Sequence, residues 1–318
     1  MNSKIAIRAS VPDELSGNRL DQIAAQLFPD YSRARLQTWI KSGSLLVNGQ
    51  LMRTRDKAHT GDCLELNAEL DVEERWSAEP IPLDVVFEDE SLIVINKPAG
   101  IVVHPAAGHM SGTLLNGLLH HCAQLELLPR AGIVHRLDKD TTGLMVVAKT
   151  LQAHTSLVQQ LQARTVSREY EAIVTGVLTG GGTIDRPLGR HPVDRKKRAV
   201  LEEGQQAITH YTVIKRFLAH THLRVKLETG RTHQIRVHLS YMKYPIVGDK
   251  QYGGRLRIPR SCTEDLANSL REFDRQALHA KNLKLIHPQS DEEMGWTAGL
   301  PEDMQNLLDV LAIDSQCQ

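Results

Sequence analysis

The 318-residue sequence predicts an α+β protein: a small N-terminal αβ module, then a larger domain built on a mixed, mostly antiparallel sheet. Three observations carry that reading. Helical periodicity dominates residues 17–43, whereas strand-length apolar or alternating runs dominate from residue 92 onward. Few helices lie between those later strands, which argues against a doubly wound parallel sheet. An acidic stretch with prolines separates the two regions, giving boundaries of 1–76 for the module, 77–90 for a linker and 91–318 for the second domain.

In the module, Arg19-Leu20-Asp21 opens a helix with Leu20, Ile23, Ala24 and Leu27 on one face. Pro29 ends it, and Ser32 is placed to cap a second helix carrying Ala34, Leu36, Trp39 and Ile40, which Gly43 stops. Leu45-Leu46-Val47-Asn48-Gly49 is a short strand entering an Asn-Gly hairpin turn. Between residues 31 and 57 there are six basic residues (Arg33, Arg35, Lys41, Arg53, Arg55, Lys57) against one acid, Asp56. Arg33 and Arg35 stand near a helix start, where the dipole disfavours cations, and that placement suits a phosphate-facing role; a solvated basic surface is the alternative. Arg19-Leu20-Asp21, Tyr31-Ser32-Arg33, Gly43, Val47-Asn48-Gly49 and Gly61-Asp62 together resemble the RNA-binding S4 domain. The charge then reverses: residues 62–90 hold eleven acids and one base, Arg75.

Beyond the linker, Leu92–Asn96 reads as a buried strand, Lys97-Pro98-Ala99-Gly100 as a turn and Thr113–Cys122 as an apolar helix. Leu151–Ala163 is an amphipathic helix, and Ser167–Val174 a strand containing Tyr170. A second basic cluster, Arg186, Arg190, Arg195, Lys196, Lys197 and Arg198, faces only Asp194. Thr209–Ile214 and Leu223–Glu228 alternate as strands, Gly230–Met242 reads as a helix, and Ala277–Ile286 as a further strand.

Composition limits what the chain can be. Hydrophobic residues make up 41% and charged residues 24%, ordinary for a chain that buries a full core. Lys+Arg and Asp+Glu both number 38, so only local patches could bind nucleic acid. Cys63, Cys122, Cys262 and Cys317 are widely spaced with no C-x-x-C pair, which argues against zinc and disulfides and fits a reducing cytoplasm. The N-terminus lacks the apolar core of a signal peptide, and no run approaches the roughly 18 apolar residues of a membrane span. Walker A, G-x-G-x-x-G, H-E-x-x-H and G-x-S-x-G motifs are absent. His104, His109, His120, His121, His135, His233, His238 and His279 match no familiar metal-ligand spacing.

The chemistry concentrates in residues 132–149, where apolar runs that read as two strands flank the polar turn His135-Arg136-Leu137-Asp138-Lys139-Asp140-Thr141-Thr142-Gly143. Asp140 suits a turn-forming role, and Asp138 either acid–base chemistry or a structural ion pair. Arg236, on a helix beside Ile235, Val237 and Leu239, requires a carboxylate partner, because an unpaired buried charge is very costly. Tyr170, in a chain with 4% aromatics, is either a platform for a base or an ordinary core residue.

His135-Arg136-Leu137-Asp138 followed by Thr141-Thr142-Gly143 resembles the H-R-L-D-x-x-T-S-G signature of the RluA family of pseudouridine synthases, with Thr142 where the pattern has Ser. Arg168-Glu169-Tyr170, the run Gly230–His238, Asn96-Lys97-Pro98-Gly100 and Gly248-Asp249 fit the same family. The resemblance implies a cofactor-free isomerisation of uridine to pseudouridine in RNA. Asp138 would be the catalytic aspartate, held ionised by a two-pronged contact from Arg236. Arg136 would fill the space left by a flipped uridine, with Tyr170 against the extruded base. It implies 23S rRNA as partner, free or in pre-50S or 50S particles, and a cytoplasmic monomer that does not bind membranes. The module residues Arg33, Arg35, Lys41 and Arg55 would contact RNA. A relative acting on other 23S uridines, a non-catalytic RNA-binding protein and an aspartate-nucleophile hydrolase are the competing readings.

Overall fold

The computed structural model describes residues 4–28, 31, 33–69, 76–105 and 111–317. Pro29 and Ser32, expected to stop one helix and cap the next, and His109 lie outside the described residues. The chain divides into two compact units, Met1–Trp76 and Ser77–Gln318.

The first unit runs β1 (Lys4–Ser10), α1 (Leu20–Leu27), α2 (Arg33–Ser42), β2 (Leu45–Val47) and β3 (Cys63–Glu69). Its sheet has the antiparallel order β1-β3-β2. Leu20, Ile23 and Ala24 of α1 meet Leu36, Trp39 and Ile40 of α2 over Leu45, Leu64 and Leu66, forming one small core. The Asn48-Gly49 turn forms, with φ of 51° and 74°, values that suit Asn and Gly. It does not continue as a hairpin. Only a Val47–Gln50 bridge follows, and β2 takes β3 as its partner instead.

The second unit contains β4 (Val85–Glu88), β5 (Leu92–Lys97), α3 (Leu114–His121), β6 (Thr142–Ala148), α4 (Leu151–Gln162), β7 (Ser167–Thr175), β8 (Gly182–Asp185), β9 (Leu188–Arg190) and β10 (Arg198–Val200). It continues with β11 (Ile208–Arg216), β12 (His220–Leu227), α5 (Gln234–Tyr241), α6 (Glu264–Glu272), β13 (Leu278–Ile286), β14 (Glu293–Thr297) and α7 (Glu302–Asp314). Nine strands form one sheet ordered β4-β5-β6-β13-β7-β12-β11-β8, with β14 paired to β13, while β9 and β10 make a separate ribbon. Only β6–β13 is parallel, so the sheet is mixed and mostly antiparallel. That parallel contact needs Gly143: at φ 112° a Cβ there would collide with the backbone of Ala280.

Residues 77–90, read from charge as a linker, belong to the second unit. β4 pairs with β5, the Glu79 carboxylate accepts from Gly112 N–H at 3.0 Å, and Ile81 and Leu83 pack on Gly117. Ile81, Leu83, Val85 and Phe87 fall on every second position of this acidic stretch, and its last part, β4, forms an edge strand of the sheet. Among the described residues no helix is long and apolar enough to cross a membrane.

Candidate active site

The turn at the centre of the sequence is gripped by its backbone. Leaving a 3₁₀ turn at Pro129–Gly132, the chain touches β6 through a single bridge, Ile133 to Val147. The approach to the turn is therefore a bridge and an extended segment, not the strand expected, because Arg130 and Ala131 sit in the left-handed region just before it. Asp138–Thr141 closes as a turn, Thr141 N–H donating to the Asp138 carbonyl at 3.1 Å. The Lys139 carbonyl accepts from Lys97 Nζ at 2.8 Å and Gly100 N–H at 3.0 Å. Arg275 Nη1 reaches the Asp140 carbonyl at 3.3 Å, and Gln276 Nε2 reaches Thr141 Oγ1 at 3.0 Å.

Lys97 is 1% exposed, and its ammonium also donates to the carbonyls of Pro98 and Ile101. Burial lowers its pKa to about 8, against the pull of Asp140 and Asp138. His135 Nε2 accepts from Val146 N–H at 3.1 Å, so this ring is neutral and fastens the turn to β6. Burial, helped by the Arg168 charge, pushes its pKa down to about 3.

Opposite the turn stands α5. Its N-cap, His233, adopts φ 58°, and buried Gln234 anchors the first turn to β11 through the Ile208 carbonyl and the Thr209 hydroxyl, both at 3.0 Å. Arg236 then projects inward, 7% exposed. Its Nη1 donates to Asp138 Oδ2 at 2.9 Å, the contact that the apolar helix demanded. The two-pronged contact goes elsewhere, to Asp249: Nε to Oδ2 at 2.7 Å and Nη2 to Oδ1 at 2.9 Å. This corrects the expected two-pronged pairing with Asp138. Asp249 comes from the loop after α5, close enough in sequence to take the more buried side of the guanidinium. Gln251 Oε1 accepts from Nη2 at 3.2 Å, and the Tyr252 ring stacks on the guanidinium at 5.0 Å. Burial opposes the charge on Arg236, but the hydrogen bonds and charges of Asp249 and Asp138 outweigh it and raise its pKa.

The remaining oxygen of Asp138, Oδ1, lies 3.8 Å from His233 Nε2. The Tyr252 hydroxyl accepts from Arg198 N–H at 2.9 Å and shares a hydrogen bond with His233 Nδ1 at 2.7 Å. Where Tyr252 is the donor of that bond, the His233 proton sits on Nε2, facing Asp138. Burial lowers the His233 pKa and keeps the ring neutral, despite the Asp138 charge.

Asp138 borders a cavity of about 590 Å³ whose walls include Arg136, Tyr170, Arg168, His233 and Arg236. A second hollow of about 530 Å³, lined by Lys139, Lys196, Lys250 and Arg275, borders the same Asp138–Arg236 pair. Tyr170, on β7, is 6% exposed, and burial raises its pKa. Arg136 is exposed. The fold thus brings Asp138, Tyr170, Arg136 and Arg236 to one place. The chemistry open to it is that of a fixed carboxylate, with one oxygen free of hydrogen bonds from described residues, beside a cavity large enough for a nucleoside.

Among the described residues no group of three or more His, Cys, Asp or Glu side chains is placed to hold a metal ion. In the first unit Lys41 and Arg55 are exposed, and Arg35 stacks over Trp39 at 5.9 Å. Arg33 departs from its expected role: its Nε and Nη2 donate to the buried carboxylate of Asp21 at 3.1 and 2.7 Å. A residue twelve positions upstream on the neighbouring helix captures it. The sequence does not reveal the work of Lys97, Asp249, Gln251, Tyr252 and Arg275; Lys97 and Asp249 stand out only as parts of the Asn96-Lys97-Pro98-Gly100 and Gly248-Asp249 motifs.

The fold and the site define an RNA-modifying enzyme. A family model described as RNA pseudouridylate synthase matches residues 91–241, and the chain belongs to that family. It is 60% identical over 316 residues to ribosomal large subunit pseudouridine synthase D of Pseudomonas aeruginosa, covering 99% of each chain. It is 51% identical over 315 residues to the protein of the same name from Escherichia coli K12, covering 99% of this chain and 97% of that one. Among solved structures it is similar to human RNA pseudouridylate synthase domain containing 4, with a TM-score of 0.57 and 28% identity over 72% of this chain and 92% of that one.

Proposed function

We propose that this chain isomerises uridines of large-subunit (23S) rRNA to pseudouridine, several of them in one stem-loop, with Asp138 as the catalytic carboxylate. The rRNA target rests on the names of relatives that match nearly the whole chain. The observation that carries the mechanism is Asp138 itself, with Oδ2 fixed by Arg236 at 2.9 Å, at the wall of the cavity that Tyr170 also lines. The reaction breaks the N1–C1′ bond, turns the uracil and joins C5 to C1′; C5 loses a proton and N1 gains one, so neither oxidant nor energy source is consumed. Asp138 either attacks C1′ or removes the 2′ proton, and both roles need an ionised carboxylate.

A uridine stacked in a helix must be extruded to reach this carboxylate. Arg136, exposed at the cavity edge, enters the vacated space. Tyr170 packs on the extruded base and suits removal of the C5 proton. Lys41, Arg55 and Arg35 of the first unit bind backbone phosphates and position the RNA without reading its sequence. Arg33, committed to Asp21, is left out of that set. The partner is free 23S rRNA or a pre-50S or 50S particle, met by a cytoplasmic monomer. Incubating the protein with unmodified 23S rRNA and mapping by a pseudouridine-specific chemical label should reveal new pseudouridines clustered in one stem-loop. No label in any RNA would remove the proposal.

A further inference from the structure

Three arginines of the described chain are buried: Arg168, Arg236 and Arg275. Arg236 holds Asp249 through two N–H groups, and Arg275 holds Asp303 in the same way. Arg168, 8% exposed, has no counter-ion or hydrogen bond among the described residues, and its Nε is buried without an acceptor. Space for its guanidinium is left by Gly230, where a Cβ would stand 2.6 Å from Nη1. An uncompensated interior cation is costly, and a chain that keeps one keeps it for a partner still to arrive.

The position says what that partner is. Arg168 and Tyr170 are two residues apart on β7 and both buried, so they stand on the same face of the sheet, and both border the cavity with Asp138. Exposed Arg130 and Arg231 also border it and suit phosphates, which stay on the outer RNA backbone, and Arg136 takes the space that the uridine leaves. The deeper position of Arg168 meets the base. When the N1–C1′ bond breaks, its electron pair leaves with the uracil, and the ring carries a negative charge shared by N1, O2 and O4. This holds for either role of Asp138. A fixed cation aimed at developing charge in a site shielded from water is among the strongest devices for lowering a barrier.

We propose that Arg168 is a catalytic residue that donates hydrogen bonds to a carbonyl oxygen of the extruded uracil and stabilises the charge on the ring as it detaches. The inference rests on the uridine-to-pseudouridine reading above. Arg168 neither gains nor loses a proton; the ring loses its charge when C5 bonds to C1′, and the C5 proton then leaves as N1 takes one up.

The test is single-turnover pseudouridine formation in a 23S rRNA transcript by the wild type, Arg168→Met and Arg168→Lys, with RNA affinity measured in parallel. Arg168→Met should lose about a hundredfold in rate at little cost in affinity, and Arg168→Lys should recover part of it. Unfolding in urea should show Arg168→Met at least as stable as the wild type, because a cation without a counter-ion has been removed. A transcript carrying 5-fluorouridine adds a readout that packing would not move. The fluorine stabilises the detached ring anion, so the Arg168→Met deficit in N1–C1′ cleavage should shrink to about tenfold or less. A wild-type rate in Arg168→Met, or an equal loss on both substrates with a lower urea midpoint, overturns the proposal. Absence of pseudouridine from the wild type overturns the parent reading and this one with it, whereas an active wild type beside an unimpaired Arg168→Met overturns this one alone.

Discussion

Two charge clusters, one in each unit, mirror each other. In the first unit a fully buried acid, Asp21, gathers two arginines and a glutamine: Arg19 donates to Oδ1 at 3.0 Å, while Arg33 and Gln37 donate to Oδ2, both at 2.7 Å. Burial works against its charge, but these donors outweigh it and lower its pKa. In the second unit a buried arginine, Arg236, gathers two acids and a glutamine: Asp249, Asp138 and Gln251. The difference lies in the outer partners. Every oxygen of Asp21 is held by donors of its own cluster, and the result is a fastening between α1 and α2. Asp138, an outer partner of Arg236, is held by one oxygen only, among the described residues, and borders a cavity. The same charge arithmetic yields a clasp in one unit and a reactive group in the next.

That contrast can be broken most severely at Asp138. Asp138→Asn should lower pseudouridine formation by about 10⁴-fold or more, while the urea midpoint barely moves, since Arg236 keeps Asp249. Retained product would mean the open carboxylate is no reactive group at all. Arg236→Lys should cost about a hundredfold in rate, because one ammonium cannot serve Asp249 and Asp138 together as the planar fork does. If it turned over at full rate, the shape of the clamp would be irrelevant. At Asp21 the expectation reverses. Asp21→Asn should loosen the first unit by about 2 kcal/mol, read as faster hydrogen exchange in α1 and α2, with the rate on a short stem-loop unchanged. A catalytic defect there would erase the distinction between the clusters.

The last effect, on stability alone, is in acid. His220 and His279, each 1% exposed, have pKa values lowered to about 4 by burial, below the usual 6.5. The unfolded chain therefore binds more protons between pH 6.5 and 4, so stability falls as the pH drops through that window, by up to about 1.4 kcal/mol per pH unit for each histidine. Asp21, with its lowered pKa, keeps its contribution until the pH falls below the ordinary carboxylate range. Urea midpoints at pH 7 and 5 should differ accordingly, and His220→Phe should flatten the difference. An unchanged slope would mean these rings are not held neutral.

Much of this could be read in the chain before folding, for reasons that differ by residue. The need of Arg236 for an acid was legible because Ile235, Val237 and Leu239 commit its helix to the interior. The identity of the acid taking the two-pronged contact was not, since Asp249 arrives from an irregular loop with no periodicity to mark it. Local signals located α3, α4, β5 and β7 to within a residue or two. The order of strands was illegible, because β13 enters between β6 and β7 from more than 100 residues away. Arg33 was read as facing phosphate, since nothing local reveals that α1 presents Asp21 to it. The linker failed for the opposite reason. Leu83, Val85 and Phe87 fall on every second position, and the exposed Val86 and the excess of acids hid that pattern.

The supports of the Asp138 turn donate their hydrogen bonds to the carbonyls of residues 139 and 140, and among the described residues none reaches their side chains. A grip on the backbone is indifferent to what is attached to it. The two unspecified positions in the signature that this chain matches are the ones where composition can drift while shape endures. A library randomised at 139 and 140, proline excepted, should therefore keep its carboxylate on station and vary only the surface offered to the nucleic acid.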